Sequence, residues 1–286
     1  MLIQDILFYV KSFRNFPMAL IRRMIHSYPI EVYLRKHDIT VSVENDNQFY
    51  MAGYFGNFLP QTSTNFEINY LQAIKAFLIK GKADRSVIFK HAFDDGDFPG
   101  VFLAEEYADI SVLDKTVIDI GASIGDSALY FYIQGAKKIY GYEPTKRAFD
   151  FAMDNVITNN LFDSIELVNA AVSNRTSIIL VEDRRKITGG SQLKENTHGR
   201  EVELYSFVDI VKRTDGENLV LKMDCEGCEY DIFASLNAEV LRKFEKVVLE
   251  YHHGPEKIDE FLRDAGYKSK LIRKSNDVGI IIAKRI

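Results

Sequence analysis

Two hydrophobic rhythms alternate along the second half of this chain. Thr116–Ile120, Ile139–Tyr142, Ile165–Val168, Leu219–Asp224 and Lys246–Glu250 are short apolar, β-branched runs, the pattern of strands buried on both faces. Helical spacing fills the gaps. Pro144–Asn160 sets Ala148, Phe149, Ala152, Val156 and Ile157 on one face, and Glu256–Ala265 does the same with Ile258, Phe261 and Leu262 before Gly266 ends it. Tyr267–Ile272 and Val278–Ala283 read as two closing strands, paired antiparallel. Strand, helix, strand in succession predicts an α/β domain built on a mostly parallel sheet. Ser177–Glu182 and Glu201–Phe207 read as a further strand pair. The polar loop between them, Asp183–Arg200, carries Gly189-Gly190 and five Lys or Arg residues, and reads either as a substrate-facing lid or as a solvated loop.

The first part of the chain is patterned differently, and residues 1–86 are expected to form an N-terminal extension to a main domain at 87–286. Ile3, Leu7, Val10 and Arg14 fall on helical spacing, Pro17 should break or restart the helix, and Leu20, Met24 and Ile25 offer a second apolar face. Glu31–Phe58 alternates as a small β-hairpin with Asn45-Asp46-Asn47 as its turn, and helical patterning resumes at Asn69–Ile79. The main sheet is expected to begin near Lys115.

Candidate chemistry starts where the first buried run meets a glycine loop. Asp119 precedes Gly121-Ala122-Ser123-Ile124-Gly125, and Asp126 opens the next helix. Glycine lets a strand turn sharply into a helix whose first N–H groups face a ligand. The next strand ends in Glu143, where an acid can accept bonds from two ribose hydroxyls. A nucleoside-bearing cofactor fits. The spacing is G-x-x-x-G and not the G-x-G-x-x-G that admits a pyrophosphate. Asn169 and Ala170 close the following strand, where the adenine would be recognised; a plain turn is the alternative.

Composition narrows this reading without redirecting it. The chain has 286 residues, 47% hydrophobic and 27% charged, with formal net charge -5, an ordinary globule whose acidic balance argues against nucleic acid as main partner. The N-terminal apolar stretch is broken by Gln4, Asp5 and Lys11 and lacks the features of a secretory signal. Two cysteines, Cys225 and Cys228, are too few for a disulfide framework and suit a reducing cytoplasm. From Met1 to Tyr28 the chain is apolar with Lys11, Arg14, Arg22 and Arg23 against one acid, Asp5. It is expected to pack as a helix pair on the main domain or in a homodimer, or to contact an anionic membrane peripherally.

A second motif, Leu219–Phe233, reads LVLKMDCEGCEYDIF. Together with D-x-G-x-x-x-G-D at Asp119–Asp126 and Tyr142-Glu143-Pro144, its K-x-D-x-E-G-x-E pattern resembles the FkbM family of S-adenosylmethionine (SAM)-dependent methyltransferases. The resemblance covers about Val87–Arg285. It implies a Rossmann-like class I methyltransferase fold with a seven-stranded, mostly parallel sheet and helices on both faces. It also implies SAM as cofactor and O-methylation of a hydroxyl on a small molecule, sugar or glycan. The cofactor residues would be Asp119, Gly121, Ala122, Gly125, Asp126, Glu143, Asn169 and Ala170. A non-catalytic module that keeps the fold and binds partners or a membrane is the alternative.

An acceptor hydroxyl needs a proton acceptor, and Asp224, Glu226 and His252 are the catalytic candidates. Adjacent side chains in an extended segment point opposite ways, so only one of His252 and His253 should face the pocket; His252 is favoured. Asp224 and Glu226 could instead cap the following helix, and Lys222 could pair with one of them. A divalent ion held by Asp224 and Glu226 is a further alternative, with no third ligand named by the sequence. A Cys2His2 zinc site from Cys225, Cys228, His252 and His253 is conceivable if their strands are neighbours. The default for the cysteines is two small, partly buried thiols.

Overall fold

The computed structural model describes residues 3–57, 65–81, 84–181, 199–216, 218–273 and 277–286. The chain divides into two compact units, Met1–Glu105 and Glu106–Ile286. This boundary lies later than the expected one at 86/87, because Ser86–Phe89 is a strand of the first unit's own sheet.

In the first unit, α1 (Ile3–Ser12) and α2 (Phe16–Met24) precede the hairpin of β1 (Ile30–Tyr33) and β2 (Thr40–Val43), paired antiparallel. Pro17 sits in the first turn of α2, where its missing N–H costs nothing. The expected apolar face of this helix is only partly used: Leu20 is buried, whereas Met24 and Ile25 are exposed. Asn45-Asp46-Asn47 is not the hairpin turn. It starts α3 (Asp46–Asn57), because Asn45 Oδ1 accepts the Gln48 N–H at 3.0 Å while Gln48 Oε1 accepts the Glu44 N–H at 2.7 Å, a reciprocal cap.

Residues 69–79 are likewise not a helix. They lie in β3 (Glu67–Leu71), a three-residue 3-10 turn and β4 (Ala76–Lys80), which pairs antiparallel with β3 and with β5 (Ser86–Phe89). Lys75 makes the reversal in a left-handed conformation, φ 51°. The aromatic side chains of this stretch pack on a sheet instead of along a helix, with Phe77 against Phe55 and Phe98.

The second unit opens with β6 (Thr116–Ile120), α4 (Asp126–Ile133), β7 (Lys138–Tyr142), α5 (Lys146–Thr158) and β8 (Ile165–Val168). A separate three-stranded sheet follows, formed by β9 (Ala170–Ser173), β10 (Ser177–Val181) and β11 (Arg200–Ser206) in the order β10-β11-β9. Ala170 therefore lies in a strand and not in a plain turn. Residues 182–198, which hold most of the predicted lid, lie outside the described residues. The chain then runs through α6 (Phe207–Arg213), β12 (Leu219–Met223), α7 (Cys228–Ser235), α8 (Ala238–Leu241), β13 (Phe244–Tyr251), α9 (Glu256–Asp264), β14 (Tyr267–Arg273) and β15 (Gly279–Arg285).

Seven strands make the main sheet, in the order β14-β15-β13-β12-β6-β7-β8. Strands β8, β7, β6, β12 and β13 are mutually parallel, and β15 runs antiparallel to both β13 and β14. This is the Rossmann-like class I methyltransferase fold read from the sequence. The alternation of runs made it legible: β12 is buried at every position, and Ile118, Ile120, Leu221, Met223, Val247 and Leu249 form one apolar core. From β6 the chain moves outward through β7 and β8, then returns to lay β12 on β6's other side. Open α/β sheets bind ligands outside the carboxyl ends of their strands at such a reversal.

Candidate active site

The β6–β12 junction is held by a buried ion pair. Their parallel register sets Lys222 opposite Asp119, with Nζ 3.1 Å from Oδ1. Asp119 Oδ2 accepts the Ser127 hydroxyl at 2.6 Å, and Lys222 Nζ donates to the Gly121 carbonyl at 2.6 Å. Burial disfavours the lysine's charge, but Asp119, Asp224 and Asp126 outweigh it and push its pKa upward. Lys222 thus pairs with the glycine-loop acid and not with Asp224 or Glu226 as its principal partner. Asp119 is fully buried, so its carboxylate shapes the loop from behind.

The two glycines answer to packing inside the protein. Gly121 has φ +81°, and a Cβ there would lie 1.7 Å from the Asp224 carbonyl oxygen. No other residue fits. At Gly125, φ +82°, a Cβ would meet Ala152 of α5 at 3.3 Å, so glycine permits both the left-handed turn into α4 and close packing on α5. Ala122 is buried, and the Gly121 and Ala122 N–H groups both donate to the Tyr142 carbonyl. Asp126 is nearly buried and accepts the Ser127 N–H.

Glu143, at the carboxyl end of β7, is 7% exposed. Its Oε2 accepts the Ser123 N–H at 3.0 Å and its Oε1 the Thr145 N–H at 2.7 Å. Each carboxylate oxygen has a second lone pair, so the pair can also accept a vicinal diol. Burial pushes the carboxyl up to about 7, against the opposing bonds from Thr145 and Ser123. Asn169 has a structural bond beside the role expected of it. Its Nδ2 donates to the Glu143 and Pro144 carbonyls at 2.8 and 3.2 Å, which braces the turn that carries Glu143.

Across the reversal, β12 and β13 bring together Asp224, Glu226, Glu229 and His252. The turn into α7 is tight. Glu226 has φ 59°, Gly227 has φ 116°, and the Cys225 and Gly227 N–H groups donate to the Glu229 carboxylate at 3.2 and 2.7 Å. His252, half-way into the cluster at the end of β13, places Nε2 3.1 Å from Glu226 and 3.9 Å from Asp224, with Nδ1 3.2 Å from Glu229. His253 points to solvent, and its N–H donates to the Tyr230 hydroxyl. Burial works against charge on His252, but Glu226 and Glu229 prevail and raise its pKa to about 10. At neutral pH the ring therefore carries both protons, which is not the resting state of a general base. Asp224 is pushed above the usual carboxylate range, chiefly by burial, with Lys222 and His252 opposing. Among the described residues its Oδ1 is buried without a hydrogen-bond partner, as is His252 Nδ1.

Two of these neighbours were poorly marked in the sequence. Glu229 stands in the second motif, but its role as the seat of the imidazole depends on β13, more than twenty residues away. Tyr107 carries no motif at all. It is buried, its hydroxyl pKa raised by burial and by Asp224, Glu106, Asp126 and Asp119.

Cys225 and Cys228 are joined by a disulfide, their Cα atoms 5.5 Å apart across the turn. This replaces the free thiols expected from the sequence and leaves no thiolate for a Cys2His2 zinc site. It also removes the argument for a reducing compartment. Asp224, Glu229 and His252 do offer ligand atoms within 4.8 Å of one another. Glu229 and His252 thus stand beside Asp224 as the further ligand atoms that the sequence left unnamed, while Glu226 is outside this group.

A sequence model described as the methyltransferase FkbM domain matches residues 119–269, more than half of the chain. The chain belongs to the FkbM methyltransferase family. It is thus a SAM-dependent methyltransferase, and the FkbM match runs from Asp119 through both motifs to β14. A relative, uncharacterized protein 158B of Sulfolobus islandicus rod-shaped virus 1, is 27% identical over 157 residues, which cover 55% of this chain and 73% of the relative. Among solved structures, the methyltransferase FkbM from Methylobacillus flagellatus KT aligns with TM-score 0.44 and 15% identity, covering 66% of this chain and 48% of that one. A putative rRNA-methylase from Clostridium thermocellum aligns with TM-score 0.43 and 11% identity, covering 64% and 93%. No helix among the described residues is long and apolar enough to cross a membrane.

Proposed function

We infer that this FkbM methyltransferase is an O-methyltransferase acting on a hydroxyl of a small molecule, sugar or glycan. The observation that carries this reading is the Asp224–Glu226–Glu229–His252 cluster at the carboxyl ends of β12 and β13, beside the glycine loop. An alcohol needs what this cluster offers: acceptors for its proton and fixed charge to hold it.

SAM, when bound, supplies a methyl group already activated on a cationic sulfur. The chain's part is to bind, align and exclude water. Glu143 would receive the ribose hydroxyls on its remaining lone pairs, and the loop Gly121–Gly125 would lie along the rest of the cofactor. Asp224 is the better proton acceptor than His252, because Glu226 and Glu229 flank the imidazole and favour its charged, doubly protonated form. The acceptor O–H would donate to the Asp224 carboxylate, whose side chain is partly exposed. Asp224 would hold the proton that the hydroxyl gives up when the methyl group passes from SAM to its oxygen and leaves S-adenosylhomocysteine, while Lys222 and the His252 imidazolium would steady the carboxylate before that transfer. Glu226 and Glu229 keep the imidazolium charged and oriented.

The test has two arms. S-adenosylhomocysteine at about 100 times its dissociation constant should stabilise the protein by roughly 2.7 kcal/mol, and Glu143→Ala should abolish that shift. Radiolabelled methyl transfer is then measured on panels of hydroxylated and amine acceptors, with Asp224→Asn as control. Labelled ether on a hydroxylated acceptor, lost in Asp224→Asn while cofactor binding remains, is the expected result. Transfer only to nitrogen or carbon would overturn the O-methylation reading.

A further inference from the structure

The second helix of the first unit is apolar on the face it turns to solvent. At about 100° per residue, Pro17, Met18, Ile21, Met24 and the capping Ile25 fall within roughly a third of its circumference. Met18, Ile21, Met24 and Ile25 are 61%, 55%, 66% and 69% exposed. Scattered exposed aliphatics need no explanation, but a continuous stripe does. The opposite face is the one that packs. Ala19 and Leu20 are buried there, and the Arg23 guanidinium lies over the Tyr9 and Phe49 rings at 5.3 and 5.1 Å while pairing with Asp46 at 3.0 Å. Fold stability therefore accounts for one side of α2 only.

Charge identifies what fits the other side. Between Ile6 and Ile30 the sequence has no acid, against Lys11, Arg14, Arg22 and Arg23, in a chain whose net charge is negative. Arg14 and Arg23 are paired with Asp38 and Asp46. Arg22, at the border of the stripe, and the exposed Lys11 on α1 have no counter-ion among the described residues. A second copy of the chain is a poor occupant, because a symmetric pairing through this face would bring each Arg22 toward its equivalent. An apolar stripe bordered by an uncompensated arginine, in a segment that is basic as a whole, is the arrangement that lies in the headgroup region of an anionic bilayer.

We propose that α2 is a peripheral membrane-binding element that seats Met18, Ile21, Met24 and Ile25 at the acyl boundary of an anionic bilayer, with Arg22 and Lys11 at the lipid phosphates. The helix is too short to span; it lies in the interface. Long cationic side chains reach the phosphates while their stems stay in apolar surroundings.

Flotation of the full-length protein with vesicles tests this, using phosphatidylcholine alone and phosphatidylcholine mixed with phosphatidylglycerol. Binding to the anionic vesicles, weakened by salt and weak on the neutral ones, is the expected result. The double variant Ile21→Ser/Ile25→Ser should lower the partition coefficient by roughly tenfold or more, and Lys11→Gln/Arg22→Gln should remove the preference for anionic lipid. Both sets of side chains are outside the core, and unchanged melting midpoints verify that the variants fold. No flotation with anionic vesicles, or binding that survives in the folded serine variant, would overturn the proposal. So would a dimer seen by light scattering that Ile21→Ser/Ile25→Ser dissociates, since a second copy would then be the occupant.

Discussion

Glu143 combines near-complete burial with a position that suits a sugar diol, and its protonation links the two. Burial raises the folded carboxyl to about 7 from an ordinary 4.5. Below that value the folded group is mostly neutral, and as pH rises through it the carboxylate forms and becomes the stronger acceptor for hydroxyls. Calorimetric titration with S-adenosylhomocysteine should therefore show binding weaker by up to roughly tenfold near pH 6 than near pH 8. Glu143→Gln, which cannot ionise, should bind weakly at both. Equal wild-type affinities would show that the carboxyl does not titrate where burial places it. The position of this acid was legible, because the strand-end rule depends only on local order. Its N–H partners were not, since Ser123 lies in a different loop. The same limit explains His252: the sequence placed it near the acids, but its charge state depends on Glu226 and Glu229 facing it from another strand's end. Asn169 was marked for a ligand and its Nδ2 also braces the Glu143 turn, a use that only the folded chain displays.

Elements carry the next level of constraint. Strand β12 inserts beside β6 so closely that the Asp224 carbonyl occupies the space a side chain at 121 would need. Two glycines with similar backbones separate this effect from simple dihedral strain. Gly266 has φ +90° and nothing within 4 Å of an added Cβ, so Gly266→Ala should cost only the left-handed penalty, roughly 1–2 kcal/mol. Gly121→Ala adds a collision with backbone and should lose more than roughly 3 kcal/mol or fail to fold. Urea denaturation of the two variants decides it, and equal losses would mean that β6 and β12 can part at little cost. Parallel strands were legible as apolar runs because both faces are buried. The N-terminal errors came from local signals with two meanings. Asn45-Asp46-Asn47 contains turn formers that are also helix caps, and Gln48 decides between them. Around Asn69–Ile79 apolar residues recur at intervals that suit either period, and pairing with β5 settles the strand.

At the scale of the whole molecule, the sheet reversal, both motifs, the disulfide-bridged turn and every candidate site residue lie in Glu106–Ile286, and the exposed stripe of α2 lies in Met1–Glu105. A fragment spanning 106–286 should accordingly bind S-adenosylhomocysteine within about threefold of the full chain, a difference under 1 kcal/mol; a folded fragment that has lost this affinity would show that the first unit completes the cofactor site. The division at Glu105/Glu106 was not legible, because β5 has the composition of a main-sheet strand and only its partners assign it elsewhere. Its consequence concerns how such a protein can change. When the groups that set where an enzyme works and those that set what it does share no residues, each can be exchanged by recombination without retuning the other. If α2 seats the protein on a bilayer as proposed and the 106–286 fragment keeps its cofactor affinity, the first unit would be an address label that can be grafted or replaced while the catalytic half keeps its chemistry.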